Sequence, residues 1–287
     1  MNRRGSILVA VLLLASLLVV FVGVAAERLR VASAATRSAA EDIAADVAVR
    51  GAVERFFAAS GGRLSDIVGV VGVTYPGIVV EAVAEDEARR VHLDLAGEDL
   101  IAGLFRAVGV DARRAADHAR VIVDRRRDPS TPPDRRRPPR VPAYGTIEHL
   151  AELDLLPELP REALAAIRPF VTVTGLDGRI AVLSAPREVV AALPGMNPGR
   201  VDAFLAERRG VRAADFEALM RRYGITPDHV SREGSLATRL SMVVRIGSHR
   251  IRRYEVVVAV VAGDDEPYRF LSWNGNLQPS DLPGSGR

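Results

Sequence analysis

The chain has 287 residues, 48% of them apolar and 26% charged, which is ordinary globular composition and excludes a disordered protein. All 39 strongly basic residues are arginine against 36 acidic residues, so the pI of about 9.7 reflects guanidinium chemistry and is no evidence for nucleic-acid binding. The absence of cysteine excludes disulfides, thiolate metal sites and a cysteine nucleophile.

The first thirty residues join a basic start to an apolar run of membrane length. Arg3 and Arg4 precede an uncharged stretch from Ile7 to Ala26, which as a helix spans roughly 30 Å, the thickness of a bilayer core. Basic residues before such a run favour a cytoplasmic N-terminus and a translocated remainder. Three interpretations remain open: a secretory signal cut after Ala26, a plain signal anchor, and a prepilin leader ending at Gly5.

The residues after this run favour the prepilin interpretation. From Glu27 to Phe57 the sequence is alanine-rich and free of proline, with apolar residues at helical spacing and Gly51 as its only interior breaker. An apolar helix that continues directly into an amphipathic one is typical of a pilin stem.

Beyond the stem we predict a loop, two strands and then a helical block. Glycines from Gly61 to Gly77 predict loop or turn structure. Ile78–Ala84 and Val91–Leu95 are predicted as strands, and the carboxylates of residues 85–87 between them as a solvated turn. From Glu98 to Tyr223 the apolar spacing predicts short amphipathic helices.

The helical block contains an arginine- and proline-rich run from Arg125 to Arg140, which predicts a solvated loop. After Asp228 the apolar period changes to two, which predicts strands over residues 236–246, 251–261 and 268–273. Tyr268 and Trp273 are predicted to belong to the core. The order indicates an α+β fold in which a long helix packs on an antiparallel sheet interrupted by an all-helical insertion.

Several segments resemble the K-type minor pseudopilins of bacterial type II secretion systems. The basic leader ending at Gly5 resembles the prepilin start of that family. EAVAEDEARRVHLDLAGEDLIAGLFRAVGV (residues 81–110) is similar to its entry into a helical domain, and RPFVTVTGLDGRIAVLSAPREVVAALPGM (residues 168–196) to a segment inside that domain. YRFLSW (residues 268–273) resembles the family's closing strand.

This resemblance implies a pilin-like fold: a long N-terminal helix packed on a small antiparallel sheet, with a large all-α insertion of helix-hairpin-helix or SAM-like type. The implied parts are listed in chain order: a prepilin leader 1–5, the transmembrane part of the helix 6–26, the pseudopilin helix with its first strands 27–95, the inserted helical domain 96–227, and the C-terminal strands 228–287.

The resemblance also implies a function and a location. It predicts a tip subunit that initiates and caps the periplasmic pseudopilus for export of folded proteins. The chain would be a single-pass protein of the bacterial inner membrane, with its bulk in the periplasm. The implied partners are other minor pseudopilins, the prepilin peptidase and, further, the secretin or an exported substrate.

Three N-terminal positions carry this prediction. Cleavage after Gly5 makes Ser6 the new, N-methylated terminus. The fifth mature residue is then Ala10, where most pilins carry a glutamate that neutralises the amine of the subunit above. A tip subunit has no subunit above it, and a carboxylate inside the membrane costs on the order of 3 kcal/mol.

No cofactor is expected from the residues themselves. Some relatives bind calcium through carboxylates near the loop that corresponds to the arginine–proline run, and Asp128 and Asp134 are the weak candidates here. Calcium needs six to eight oxygen ligands, and both carboxylates lie among arginines that repel a cation. We therefore expect no metal site.

A membrane-anchored, competence-like DNA-binding protein remains the alternative function. Residues 185–209 resemble a helix-hairpin-helix element, with Gly195, Met196, Asn197 and Arg200 as candidate hairpin contacts. Asn197 stands where DNA-binding versions have a second glycine, so nucleic acid is not the expected partner. The five histidines lack metal-ligand spacing and no phosphate-loop or nucleophile motif is present, so catalysis is not expected either.

Overall fold

The computed structural model describes residues 3–64, 67, 69–130, 141, 143, 145–175, 178–232, 234–260 and 267–275. The side chains of residues 3–11, 14, 15, 34 and 213 lie outside this description.

One helix, α1 (Arg3–Ala59), forms the N-terminal fifth of the protein and is 57 residues long. At 1.5 Å per residue it extends about 85 Å. It ends at Gly61 and Gly62, which have φ values of 61° and 86°. The Gly62 amide donates to the Phe57 carbonyl at 2.9 Å, which satisfies one carbonyl of the last turn.

Only the C-terminal part of α1 is packed against the rest of the chain. Its buried side chains begin at Ala45 and end at Phe56, whereas most described side chains before Ala45 are exposed. Gly51, the breaker within the helix, lies against the Tyr75 ring, and a Cβ at this position would be 2.9 Å from the Tyr75 hydroxyl. The glycine therefore allows close packing between helix and sheet.

A five-stranded antiparallel sheet packs on this part of α1 in the order β1-β2-β7-β8-β9. Its strands are β1 (Val70–Tyr75), β2 (Ile78–Asp86), β7 (Ala237–Ile246), β8 (Arg250–Val260) and β9 (Tyr268–Gly275). We call the side that contacts α1 the helix face and the other side the outer face. The three C-terminal strands match the positions predicted from the period-two pattern.

Two predictions for the region after α1 are wrong. The glycine-spaced stretch expected to be loop contains β1, because Gly69 and Gly77 form turns with positive φ while Gly72 lies within an extended strand. The segment expected as a second strand of the sheet contributes only β3 (Val91–His92), which pairs with β4 (Val171–Thr172) inside the helical part.

The chain between β2 and β7 forms a helical insertion. It contains α2 (Glu98–Ala107), α3 (Ala112–Arg126), α4 (Arg161–Ile167), α5 (Arg187–Ala192), α6 (Pro198–Glu207) and α7 (Phe216–Tyr223), with the two-residue strands β3, β4, β5 (Ile180–Ala181) and β6 (Val230–Ser231). The helix-on-sheet body with a helical insertion confirms the predicted fold class.

The insertion and the helix-on-sheet body have separate hydrophobic cores. The insertion buries a cluster that includes Phe105 and Phe204, and the body buries one that includes Val53, Leu240 and Val256. Each part is therefore stabilised by its own apolar burial.

The core of the insertion depends on one close approach between two helices. Gly103 of α2 lies against α5, and a Cβ at this position would be 2.1 Å from the Ala192 carbonyl oxygen. Because the obstacle is backbone, a side chain here requires the helices to separate.

We expect Gly103→Ala to lower the free energy of unfolding by about 1–3 kcal/mol, in the range seen for overpacked cores. Denaturant unfolding of the protein measures this change. Gly97→Ala is the control, since a Cβ there meets nothing within 4 Å. Equal stability of the two variants would contradict the close approach.

Candidate functional site

A buried carboxylate joins the insertion to the sheet. Glu87 follows β2 directly and is 1% exposed. Arg239 of β7 donates to it through Nε at 2.8 Å and also through Nη2. From the insertion, the Thr172 hydroxyl donates to the same carboxylate and the Thr174 hydroxyl does so at 3.3 Å. Glu87 therefore binds both parts of the molecule at once.

A second carboxylate and two arginines extend this junction to the surface. Arg90 donates to Glu85 at 2.6 Å and contacts Glu87 at 3.5 Å. Arg89 donates to Glu85 at 2.7 Å and through Nε to the Ser184 carbonyl of the insertion at 2.8 Å. Each arginine thus has a carboxylate partner, as burial of charge requires.

The charges of the junction set the protonation of its carboxylates. Burial by itself raises the pKa of Glu87, but the hydrogen bonds and charge of Arg239 and the charge of Arg90 outweigh it and lower the pKa below 4.5. The pKa of Glu85 is lowered in the same way, against burial, by Arg90 and Arg89. Both side chains are ionised at neutral pH.

The two ends of the insertion meet at Asp86. Its carboxylate accepts the Ala88 amide at 2.8 Å where the chain leaves the sheet. It also accepts the Ser235 amide at 3.0 Å where the chain returns. Gly234 fits only because it lacks a side chain, since a Cβ would lie 1.5 Å from Asp86 Oδ2. The prediction of a solvated acidic turn at residues 85–87 is therefore wrong.

A row of polar contacts fixes α1 on β8 at the end of the sheet nearest the N-terminal stem. Arg250 donates to Glu41 and, at 2.7 Å, to Ser38. Two residues further along β8 Arg252 donates to Asp42, and two residues beyond it the Tyr254 hydroxyl donates to Asp46 at 2.8 Å. Burial and the neighbouring Asp46 carboxylate raise the pKa of this hydroxyl.

Aromatic contacts hold the other end of the packed helix. Phe57 contacts Tyr268 of β9, with ring centroids 5.2 Å apart. Arg50 lies over the rings of Phe270 and Trp273, at 5.3 and 4.7 Å from their centroids. Tyr268 and Trp273 are half-buried against the body core, in agreement with their predicted core role.

These contacts determine where the stem and the insertion leave the sheet. From Glu41 to Phe57, α1 runs alongside β8 in the direction from Arg250 to Val260. Val260 in turn pairs with Tyr268, which Phe57 contacts. The insertion starts and ends at this second end, where Ala237 pairs with Ala259. The N-terminal stem and the insertion therefore lie at opposite ends of the sheet.

The stem presents an uncharged stripe on the side of α1 opposite the sheet. We call this set of side chains the outer stripe; its members recur every three or four residues and are exposed or half-exposed. They are Leu18, Val22, Ala25, Leu29, Ala32, Thr36, Ala39, Ile43 and Val47. Charged residues of this segment lie off the stripe, so the spacing is that of a helix–helix seam.

The residues predicted for N-terminal processing all lie in α1. Gly5, Ser6 and Ala10 fall within its helical backbone, but their side chains lie outside the described residues. Across the part of the chain that the structure describes, no helix combines the length and apolar character needed to cross a bilayer.

The predicted hairpin contacts come together between α5 and α6. Gly195 takes a φ of 77° at the turn, and Asn197 caps α6 by accepting the Arg200 amide at 3.0 Å. The Arg200 guanidinium turns inward and donates to the Tyr223 carbonyl at the end of α7. Arg208 donates to the carbonyls of residues 182 and 185 at 3.0 and 2.6 Å. Both arginines therefore link separate segments of the insertion through hydrogen bonds to backbone carbonyls.

Only one of the two weak metal candidates, Asp128, lies within the described residues. Asp128 is exposed and accepts hydrogen bonds from the Ser130 amide and hydroxyl, which lower its pKa. Asp134 lies outside the described residues, as does most of the arginine–proline run. The described residues contain no group of three or more histidines or carboxylates placed to hold a metal ion.

The start of that run is structural, contrary to the predicted solvated loop. Arg125 and Arg126 form the last turn of α3. Arg125 donates to Glu152 and to the Gly145 carbonyl, and Arg126 donates to the carbonyls of Leu93 and Ala96.

Sequence reasoning missed the junction and the contacts of α1 with β8. Glu87 and Arg239 are 152 positions apart, and only the pairing of β2 with β7 brings them together. One sequence signal for the contacts of α1 with β8 exists: Arg250 and Arg252 lie on the same face of a predicted strand, and the helix predicted to pack on the sheet carries acidic residues.

Comparison with known proteins identifies this fold. No protein-family model and no curated protein sequence matches the chain. The structure is similar to a chain in the crystal structure of the GspK–GspI–GspJ complex from the type 2 secretion system of enterotoxigenic Escherichia coli. The TM-score is 0.65 at 13% identity, and the match covers 85% of this chain and 99% of that chain. The chain therefore has the fold of a subunit of that complex.

We expect Glu87→Gln to lower the free energy of unfolding by about 3 kcal/mol at pH 7, because Arg239 loses the more buried of its two carboxylate partners and keeps only Glu255. The folded pKa of Glu87 is lowered, so the wild-type contribution is complete above about pH 4.5 and is lost as the pH falls through the folded value. Unfolding between pH 7 and pH 3 should show a shallower pH dependence in the variant.

Glu217→Gln is the matched control for this prediction. Glu217 is 85% exposed and forms an ion pair with Arg221, whose side chain is also exposed. Its replacement should change the free energy of unfolding by less than about 0.5 kcal/mol. If Glu87→Gln behaved like this control, the junction would not be a stabilising element.

Proposed function

We propose that this protein is a K-type minor pseudopilin of a type II secretion system. In this role it is a tip subunit that initiates and caps the periplasmic pseudopilus, through which folded proteins are exported. The observation that carries the proposal is the placement of the stem and the insertion at opposite ends of a pilin-like sheet. The fold shared with a subunit of the GspK–GspI–GspJ complex supports it independently.

The insertion is suited to a terminal position in a filament. A subunit whose stem points towards the membrane carries its insertion at the far end of the sheet. Another subunit stacked above it would collide with this helical mass, which the buried Glu87 junction holds in place. Such a subunit can begin a filament but cannot be followed by one above it.

The outer stripe is suited to packing against the stems of neighbouring subunits. Nine side chains without charge line one side of a helix, and three of them, Ala25, Ala32 and Ala39, are small enough for a second helix to approach closely. In this proposal the occupant is the stem of another minor pseudopilin, since the structural match is to a chain of the three-protein GspK–GspI–GspJ complex.

The N-terminal residues support processing and membrane storage before assembly. The prepilin peptidase would cut after Gly5 and leave Ser6 as the methylated terminus. The uncharged run to Ala26 then holds the chain in the inner membrane until the filament forms, with the bulk of the protein in the periplasm. Ala10 at the fifth mature position agrees with a subunit that has none above it.

The role in this proposal is structural and not catalytic. Partner minor pseudopilins contact the stem, and the distal insertion faces the outer membrane, where the secretin or an exported protein would be encountered. Arg200 and Arg208 of the hairpin donate to backbone carbonyls inside the insertion. These contacts favour a structural role for the hairpin over binding of DNA phosphates.

Intact mass and N-terminal sequencing of the protein extracted from the membranes of its own cells test the processing step. We expect a chain that begins at N-methylated Ser6. Gly5→Val should leave an unprocessed chain, because the peptidase loses the small residue at the cut. A wild-type chain beginning at Met1, or after Ala26, would contradict the pseudopilin proposal.

Ile43→Arg tests the outer stripe. Ile43 is 66% exposed, so the change should leave folding intact but place a charge in the seam between stems. We expect at least a tenfold loss of the pilin-like partner chains that co-purify with the full-length protein. Leu155→Arg is the control, since Leu155 is 80% exposed in the insertion. Equal retention of partners by both variants would argue against the stripe.

A further inference from the structure

The strand β1 is an open edge of the sheet. It pairs with β2 through six consecutive residues, from Val70 opposite Val83 to Tyr75 opposite Ile78, without a break in register. Within the described residues no strand pairs with its other side. Half of its backbone N–H and C=O groups therefore point away from the sheet, as in any edge strand.

The composition of β1 contrasts with that of the opposite edge. β9 carries Arg269, and its pairing with β8 is interrupted by a bulge at Val257–Val258. Charges and bulges of this kind normally protect an edge from further pairing. β1, with the sequence VVGVTY, has no charge, no proline and no bulge. One edge is protected and the other is open.

Apolar side chains on the outer face beside this edge lie in solvent. Val70 is 69% exposed and its cross-strand neighbour Val83 is 40% exposed. Next along β1, Gly72 leaves the outer face free, because a Cβ there would approach only the Val80 carbonyl oxygen, at 3.7 Å. A neighbouring strand could cover Val70 and pack over the glycine without moving any atom of β1.

We propose that β1 is a strand-addition site, which pairs with an extended and uncharged segment of a pilin-like partner chain. This inference rests on the proposed function for the existence of the partner. About six residues, or roughly 20 Å of strand, match the open edge. Backbone hydrogen bonds supply the affinity, and an apolar residue of the partner opposite Val70 supplies the selectivity.

Geometry argues against a second copy of this chain as the occupant. Antiparallel pairing of two β1 strands places a two-fold axis perpendicular to the sheet. This axis reverses every direction in the plane of the sheet, so the two stems would leave the dimer in opposite directions. Both stems must enter one membrane from the same side in the proposed function, which a different chain with its own strand direction allows.

The experiment compares Val70→Lys with Leu271→Lys in the full-length protein. Both residues are exposed, on opposite edges of the sheet, so the same charge blocks strand addition at β1 or at β9. The probe is the set of pilin-like partner chains that co-purify with the wild-type protein. We expect Val70→Lys to weaken the complex at least tenfold and Leu271→Lys to weaken it less than twofold.

Hydrogen exchange of the same complex provides the second measurement. Amides of residues 70–75 should exchange at least tenfold more slowly in the complex than in the isolated protein. A cross-linker on Val70→Cys, the only cysteine in that variant, should join β1 to a strand of a partner. Cross-links to a second copy or to an exported protein would overturn the inference, as would unchanged exchange in β1.

These outcomes separate the inference from the function on which it rests. A complex that Ile43→Arg disrupts while Val70→Lys leaves it intact overturns strand addition and retains the proposed function. A wild-type protein that recruits no pilin-like chain overturns both.

Discussion

The architecture depends on a single buried carboxylate. Glu87 receives a charged donor from a strand of the sheet and hydroxyl donors from two threonines of the insertion, so displacing either part breaks hydrogen bonds to an ionised carboxylate in the interior. Since the two parts have separate cores, apolar burial alone would not fix their relative position. Leaving a buried charge without its partner costs much more free energy than forming the pair contributes, so such a charge is a strong determinant of geometry.

The long helix has two sides with different physical roles. The side facing the sheet is small and apolar, and Glu41, Asp42 and Asp46 at its margin set its register by pairing with alternate residues of β8. The opposite side is uncharged along the stem and has no neighbour within the described chain. The first side makes a stable subunit, and the second leaves apolar surface that association can bury.

Local patterns in the sequence were sufficient for most elements and insufficient for the contacts between them. The helix of the stem and strands β7 to β9 follow from spacing that a short window contains. β1 was missed because its glycines resemble a loop, although only the flanking Gly69 and Gly77 form turns. Glu87 was misjudged because a carboxylate in an acidic run indicates solvent until its distant arginine is known. The inward turn of Arg200 likewise depends on where α7 ends.

The meeting of Ser235 with Asp86 has a consequence for the modularity of the protein. A segment whose two ends lie within one hydrogen bond of each other can be added to a hairpin without changing the order or direction of any strand. The helical part thus has the form of a graft on a complete helix-on-sheet body, with its own core and a joint only a few residues wide. Loss or exchange of that graft would leave the order and direction of the strands intact while changing what stands at the end of the sheet.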